Sequence, residues 1–284
     1  MTVSDCLRLA GKKLKDARIS TYQLDGEILL AHTVKCERSL LFAHPEMALN
    51  ALQHKRFQSL LQKRSHRIPI AYLVGHKEFF NLDFDVGPSV LIPRPDTEIL
   101  VDCLNNYLSH NAEKVTVLDI GTGSGCIAIS LAHSHPSIRV FGTDSSLRAL
   151  SIARRNCKKY GFSKRISLSK ANLYPGFPKR FDCIVSNPPY LSSKEYTTAL
   201  KNYPELRFEP KGALIAKENG LTVLHRIIQI CALHLSPNGA LFLEIGSGQR
   251  HSIQEMVKKY LPHSTLAFHK DLAGRTRVAD IRIK

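Results

Sequence analysis

From Ser4 to about Leu73, apolar residues recur at spacings of three and four, the pattern of helices that each bury one stripe. Leu7, Leu9, Ala10, Leu14 and Ala17 are interleaved with Lys12, Lys13 and Lys15. A second run holds Leu29, Leu30, Ala31 and Val34; a third, Phe57, Leu60 and Leu61, is interrupted by Lys63, Arg64 and Arg67. Polar breaks at Ser20-Thr21 and His44-Pro45-Glu46 separate them. The pattern predicts a small helical bundle over residues 1–75. From Phe79 the period drops to two: Phe80, Leu82, Phe84 and Val86 alternate with Asn81, Asp83 and Asp85. Gly87-Pro88 then offers a turn before Val90, Leu91 and Ile92, so the spacing predicts a β-hairpin over 78–92 inside a linker spanning 76–95.

Beyond residue 96 strand and helix patterns alternate. Strands are predicted at 115–120, 138–143, 165–169, 181–186, 239–245, 264–269 and 276–283, and helices at 96–109, 125–134, 146–160, 219–235 and 249–260. Strands separated by helices of this length pair in parallel through right-handed crossovers, giving a doubly wound sheet. Only Asp271-Leu272-Ala273-Gly274 separates the last two strands, so they should pair antiparallel. The organisation expected is a helical domain at 1–75, a hairpin linker at 76–95 and an α/β domain at 96–284.

Composition narrows this little. With 43% hydrophobic and 23% charged residues, the chain has ample material for a core, which excludes disorder as its dominant state. No run approaches the roughly 18 apolar residues of a membrane span. The N-terminus lacks a basic flank followed by an apolar core, so the expectation is a soluble intracellular protein. The seven cysteines form no CxxC pair, and the close histidine pair His133 and His135 abuts Pro136 at a predicted helix end. Neither pattern is that of a metal site, and none is expected. The net charge of +16, of which residues 1–75 carry twelve Lys/Arg against six Asp/Glu, reads either as solubility or as attraction to an anionic partner. Nucleic acid, ribosome and acidic protein all fit that sign.

The chemistry concentrates in two segments. Val115-Thr-Val-Leu-Asp119-Ile-Gly121-Thr122-Gly123-Ser124-Gly125 reads as a buried strand running into a glycine-rich turn before a helix. Glycines there let the backbone turn sharply and approach a ligand. Gly123-x-Gly125-x-x-Ala128 fits a loose dinucleotide fingerprint. The early start at Asp119 and the lack of a basic helix start favour S-adenosylmethionine instead. The next strand ends at Asp144, where a carboxylate accepts both ribose hydroxyls. The second segment is Asn187-Pro188-Pro189-Tyr190, delivered at the carboxyl end of the strand over 181–186. The prolines stiffen it and leave carbonyls as acceptors. With the Asn187 side-chain oxygen they form a rigid acceptor pair for a planar NH₂ group, and Tyr190 adds a flat face.

The glycine loop with Asn187-Pro-Pro-Tyr190 resembles methyltransferases that modify planar amino groups on adenine, cytosine or glutamine. Leu91-Ile-Pro-Arg94-Pro-Asp-Thr-Glu98, Glu209-Pro210 with Ala213-Leu214, Leu243-Glu-Ile-Gly246-x-Gly-Gln249 and Asp271-Leu-Ala-Gly-Arg275-x-Arg277 narrow the resemblance to the release factor glutamine methyltransferase family, the HemK/PrmC type, over essentially the whole chain. It departs at Asn172-Leu173, where relatives often carry Asp before an apolar or aromatic residue.

That resemblance implies an α/β fold: a Rossmann-like S-adenosylmethionine-dependent methyltransferase sheet, mostly parallel with an antiparallel C-terminal strand, plus a small N-terminal helical bundle. It implies methyl transfer from S-adenosyl-L-methionine, leaving S-adenosyl-L-homocysteine. The acceptor is the side-chain amide nitrogen of glutamine in the Gly-Gly-Gln motif of class 1 peptide chain release factors, which act in translation termination. Asn187, Pro188, Pro189 and Tyr190 are the expected catalytic and substrate-binding residues, joined by Arg94 and Glu98. Gly121, Thr122, Gly123, Ser124, Gly125, Asp144, Asn172, Leu173 and Asn187 are the expected cofactor contacts. Arg94 to Glu98 read equally as a structural helix cap, and Glu244 and Gln249 as structural. A monomer in the cytoplasm is expected, without a membrane or a stable nucleic-acid partner. The rival readings are a nucleic-acid adenine N6-methyltransferase, a glutamine methyltransferase acting on a ribosomal protein, and a non-enzymatic ribosome-binding module.

Overall fold

The computed structural model describes residues 1–110, 115–176 and 180–283. Lys284, the last residue of the expected α/β domain, lies outside them. The described residues cluster into two compact units, Met1–His76 with Tyr203–Phe208, and Lys77–Asn202 with Glu209–Lys284.

The first unit holds helices α1 (Val3–Asp16), α2 (Tyr22–Val34), α3 (Arg38–Ala43), α4 (Ala51–Ser65) and α5 (Ile70–Val74). Capping boxes open two of them: Thr2 with Asp5 on α1, and Asn50 with Gln53 on α4. Ala10, Leu14, Leu29, Leu30, Phe57 and Leu61 meet in its core, so the helical stripes read from the sequence are the buried faces. Arg64 is buried too. Its Nε donates to Asp25 Oδ2 at 2.6 Å, and a guanidinium N–H donates to Glu205 Oε1 at 3.0 Å. Arg67 reaches the same Glu205 oxygen at 3.2 Å. These ion pairs hold the single-turn helix Pro204–Phe208 in this unit despite its distance along the chain.

The hairpin differs from expectation. Strands β1 (His76–Phe79) and β2 (Leu82–Asp85) close at Phe80-Asn81, and residues 86–94 form no strand. Phe80 and Asn81 have φ of 51° and 59°, the left-handed pair that a two-residue hairpin turn requires. The Gly-Pro signal at 87–88 is therefore a bend after the hairpin, not its turn.

After α6 (Pro95–His110) come β3 (Thr116–Ile120), α7 (Cys126–Ser134), β4 (Arg139–Asp144), α8 (Leu147–Lys159), β5 (Ile166–Lys170) and β6 (Phe181–Ser186). Next are α9 (Ser193–Asn202), the short α10 (Lys217–Gly220), α11 (Thr222–Ile230), β7 (Leu235–Glu244), α12 (Arg250–Tyr260), β8 (Thr265–Lys270) and β9 (Thr276–Arg282). Among the described residues, β3 to β9 form one sheet in the order β5-β4-β3-β6-β7-β9-β8. All pairings are parallel except those of β9, which runs antiparallel to both β7 and β8. Successive residues of β3 face opposite sides: Val117 joins one apolar cluster, with Leu104 and Ile129, and Leu118 the other, with Ile184 and Ile228.

Two element starts differ from expectation, and one helix was not expected at all. β7 begins at Leu235 because Asn238 absorbs the Pro-Asn-Gly signal in a left-handed conformation (φ 61°) within the strand. The helix expected from 219 starts at Thr222, since Glu218 and Asn219 are left-handed. α9 escaped the sequence because Tyr196 is its one buried side chain among the described residues, too little for a readable stripe.

Candidate active site

In an open α/β sheet, ligands gather at the carboxyl ends of strands where the order reverses. Here that place is the edge formed by β3, β4 and β6, and a cavity of about 370 Å³ opens there. Its lining includes Gly121 to Ser124, Asp144, Asn172, Leu173 and Asn187 to Pro189, together with Arg94 and Thr97.

The loop after β3 is built from its own hydrogen bonds. Gly121 and Thr122 donate their N–H groups to the Thr143 carbonyl at 2.8 and 2.9 Å, and Gly125 N–H returns to the Thr122 carbonyl. Gly121, Gly123 and Gly125 have φ of 72°, 57° and 82°, which only glycine adopts without strain. Gly121 lines the cavity, and a Cβ on it would meet no atom within 4 Å beyond its chain neighbours. Gly125 does not line the cavity; a Cβ there would press on Ile129 and Ala153, so its role is close packing against α8.

Asp119 lies wholly buried beneath the loop, accepting a hydrogen bond from Thr122 Oγ1 at 2.6 Å. Burial pushes its carboxyl up to about 7 against that hydrogen bond. Asp144 accepts from the backbone N–H of Gly123 at 3.0 Å and of Ser146 at 2.8 Å, one on each oxygen. Each oxygen keeps a second lone pair. Leu173 is held at φ 77° while its carbonyl accepts from Thr143 Oγ1, a strained conformation for a residue with a Cβ.

At the end of β6, Ser186 Oγ donates to the Ile120 carbonyl at 2.7 Å and ties this strand to β3. The tetrapeptide follows. Asn187 donates its side-chain N–H to Thr97 Oγ1 at 2.9 Å, which leaves Oδ1 as its acceptor. Tyr190 donates its hydroxyl to Glu244 Oε1 at 3.0 Å, and its carbonyl accepts from Gln249 Nε2 at 2.9 Å. Gly220 presses on that carbonyl so closely that a Cβ would stand 2.0 Å from its oxygen. The Tyr190 ring packs against the apolar cluster of Leu118 and Ile184 and does not line the cavity.

Arg94 and Glu98 separate. Arg94 lines the cavity and donates to the buried Glu209, whose other oxygen accepts from Ile92 N–H at 3.0 Å. Glu98 stands outside the lining, and its carboxylate accepts from Phe80 N–H at 2.9 Å, fixing the hairpin turn. Thr97 carries no signal of its own in the sequence. The signal lies in its partner: Glu244 ends the buried stretch 239–244, whose other residues are all apolar or glycine, and a carboxylate there demands a hydrogen-bonding neighbour.

Comparison with known proteins follows the two units. Residues 5–75 match the PrmC N-terminal domain and residues 95–205 the Methyltransferase small domain. A release factor glutamine methyltransferase of Buchnera aphidicola subsp. Schizaphis graminum is 37% identical over 278 residues, covering 98% of each chain. A bifunctional methyltransferase of Rickettsia felis is 36% identical over 98% of this chain, which spans 57% of that longer protein. Among solved structures, a methyltransferase from Pyrococcus furiosus shares the fold, with a TM-score of 0.53 at 21% identity over 79% of this chain and 96% of the other. With the glycine loop, the tetrapeptide and a full-length relative in agreement, the chain belongs to the release factor glutamine methyltransferase family.

Proposed function

We propose that the protein methylates the side-chain amide nitrogen of the glutamine in the Gly-Gly-Gln motif of class 1 peptide chain release factors, using S-adenosyl-L-methionine, in the cytoplasm. The observation that carries this reading is the Asn187 amide, whose nitrogen is already committed to Thr97 and whose oxygen remains an acceptor beside the cavity.

The cavity's own residues fit the methyl donor. Gly121 and Gly123 leave room where a side chain would stand, and Asp144 offers spare lone pairs for hydroxyl donors. Asn172 and Leu173 line the same space. S-adenosylmethionine supplies an electrophilic methyl group on a positively charged sulfur.

An amide nitrogen is a poor nucleophile because its lone pair is delocalised into the carbonyl. Asn187 Oδ1 and the Pro188 carbonyl can accept its two N–H bonds, which holds the amide plane and raises electron density on nitrogen. Positioning of this kind supplies up to about 7–11 kcal/mol in favourable cases. Acceptors fixed before the reaction also favour the nitrogen as it gains positive charge. The methylated nitrogen then sheds its extra proton to solvent, so no side chain is required as base.

Residues 1–75 complete the proposal as a docking domain for the body of the release factor. Support comes from their charge of twelve Lys/Arg against six Asp/Glu. The experiment that tests the function is incubation with labelled S-adenosylmethionine and either a release factor or DNA. Label on the release factor glutamine is expected; label on adenine would overturn the assignment.

A further inference from the structure

Behind the tetrapeptide runs a buried polar relay. Asn187 Nδ2 donates to Thr97 Oγ1 at 2.9 Å, Thr97 Oγ1 donates to Glu244 Oε2 at 2.6 Å, and Tyr190 Oη donates to Glu244 Oε1 at 3.0 Å. Thr97 is 2% exposed and Glu244 1%, so water does not compete for these bonds. A hydroxyl carries one proton and an ionised carboxylate only accepts. Thr97 must therefore spend its proton on Glu244, and its oxygen is left able only to accept. The end of the Asn187 amide that can meet it is the NH₂ group.

We propose that Thr97 and Glu244 are positioning residues for methyl transfer: the Glu244 carboxylate, acting through the Thr97 hydroxyl, dictates which end of the Asn187 amide faces the substrate nitrogen. With the relay polarised this way, Asn187 presents oxygen to an NH₂ group. A proton on Glu244 reverses the polarity. The carboxyl then donates to Thr97, Thr97 donates outward, and the Asn187 amide turns its oxygen inward. The substrate NH₂ would then face another NH₂, and of its two acceptors only the Pro188 carbonyl would remain.

The surroundings of Glu244 put this reversal near neutrality. Burial pushes its carboxyl up to about 7, opposed by the hydrogen bonds from Thr97 and Tyr190. Of the charged groups facing it, Asp96 on α6 pushes the same way and Arg277 on β9 opposes it. Arg277 is itself shared between Asp96 at 2.9 Å and Asp271 at 3.0 Å. The Cys126 thiol on α7 also lies within its electrostatic reach, and burial pushes that thiol up to about 12, so it stays neutral. The relay is intact above about 7 and lost below it, so turnover should fall toward acid.

The inference rests on the glutamine-methylating reading, and the test separates the two. The full-length protein would be assayed with intact release factor and labelled S-adenosylmethionine, both saturating, so that loss of cofactor binding does not enter kcat. Thr97→Val keeps the shape and deletes the relay. It should lower kcat on the order of 10²-fold, as removal of a placed hydrogen bond does. KM for release factor should change less than about threefold. Thr97→Ser, which restores the hydroxyl, should recover most of the rate. The wild-type kcat should show one acid limb, and Glu244→Gln should abolish that limb while lowering the plateau, because a neutral amide can present either end to Thr97. A Thr97→Val enzyme within about threefold of wild-type kcat would overturn the proposal. So would a Glu244→Gln enzyme that keeps the wild-type acid limb. If the wild type transfers no methyl to release factor, the substrate assignment fails and takes the relay's role with it; a working wild type with indifferent variants rejects the relay alone.

Discussion

Asp144 accepts the backbone N–H of Gly123 at 3.0 Å, so the carboxylate that closes β4 also props the glycine loop that follows β3. The second strand thereby sets the shape of a loop grown from the first. A ligand held by Asp144 would also be held by a loop that Asp144 keeps in place.

Removing that carboxylate should be felt in binding before it is felt in turnover. Asp144→Ala is expected to weaken S-adenosylmethionine affinity by roughly tenfold or more, the loss for hydrogen bonds to a charged acceptor. Asp144→Asn should fall between, since one oxygen remains to accept from Gly123 or Ser146. Titration calorimetry decides it: an unchanged affinity in Asp144→Ala would leave the residue as a loop support only.

The tetrapeptide makes the opposite forecast. Asn187→Ala should reduce methyl transfer to intact release factor by on the order of 10²–10³-fold while leaving the fold and most cofactor binding in place. Transfer within about tenfold of wild type would remove Asn187 from the proposed role.

The buried Asp119 gives a pH dependence of stability with a definite sign. Its carboxyl is raised by burial to about 7 in the folded protein and returns to the ordinary carboxylate value on unfolding. The folded state therefore holds a proton that the unfolded state has released. Its favourable contribution is complete below about pH 4 and is lost as pH rises through about 7. Asp119→Asn removes this dependence. Across that window the variant should gain stability relative to wild type as pH rises, measured by urea unfolding at several pH values. A constant difference between the two proteins would show that Asp119 ionises at its ordinary value.

Among the basic residues of the helical unit, exposure sorts docking candidates from structural ones. Lys12, Lys15 and Lys63 are exposed, whereas Lys13 is half-buried and donates to Gln62 Oε1. Reversing the charge of the exposed three should raise KM for intact release factor, and salt should mimic the effect, since exposed charges are screened over about 8 Å at physiological ionic strength. A short Gly-Gly-Gln peptide should react poorly with either enzyme, because it lacks the remote contacts that position the amide. Arg64 belongs to another class. Arg64→Met strands the buried Asp25 and should cost about 3–5 kcal/mol of stability, read from a denaturation curve. An unchanged KM in the lysine-reversed enzyme at low salt would end the docking proposal.

What the sequence determined by itself is whatever local chemistry enforces. Gly121, Gly123 and Gly125 take left-handed conformations that no other residue adopts cheaply, so their spacing announced the loop. Pro188 and Pro189 restrict the backbone whatever surrounds them. The alternation of buried strands and amphipathic helices forced a parallel sheet, and the four-residue link at 271–274 forced its antiparallel end.

Tertiary structure decided what depends on partners distant along the chain. Nothing near Thr97 says that its hydroxyl meets a carboxylate 147 residues away, or that Glu98, one residue on, turns aside to hold Phe80. Gly220 is required because the Tyr190 carbonyl arrives against it, and Tyr203–Phe208 joins the helical unit because Arg64 and Arg67 hold Glu205. Periodicity records how a segment divides its residues between core and solvent. It carries no record of which buried polar group will face which, because that pairing is fixed only when the folded chain brings both out of water and each must find the other.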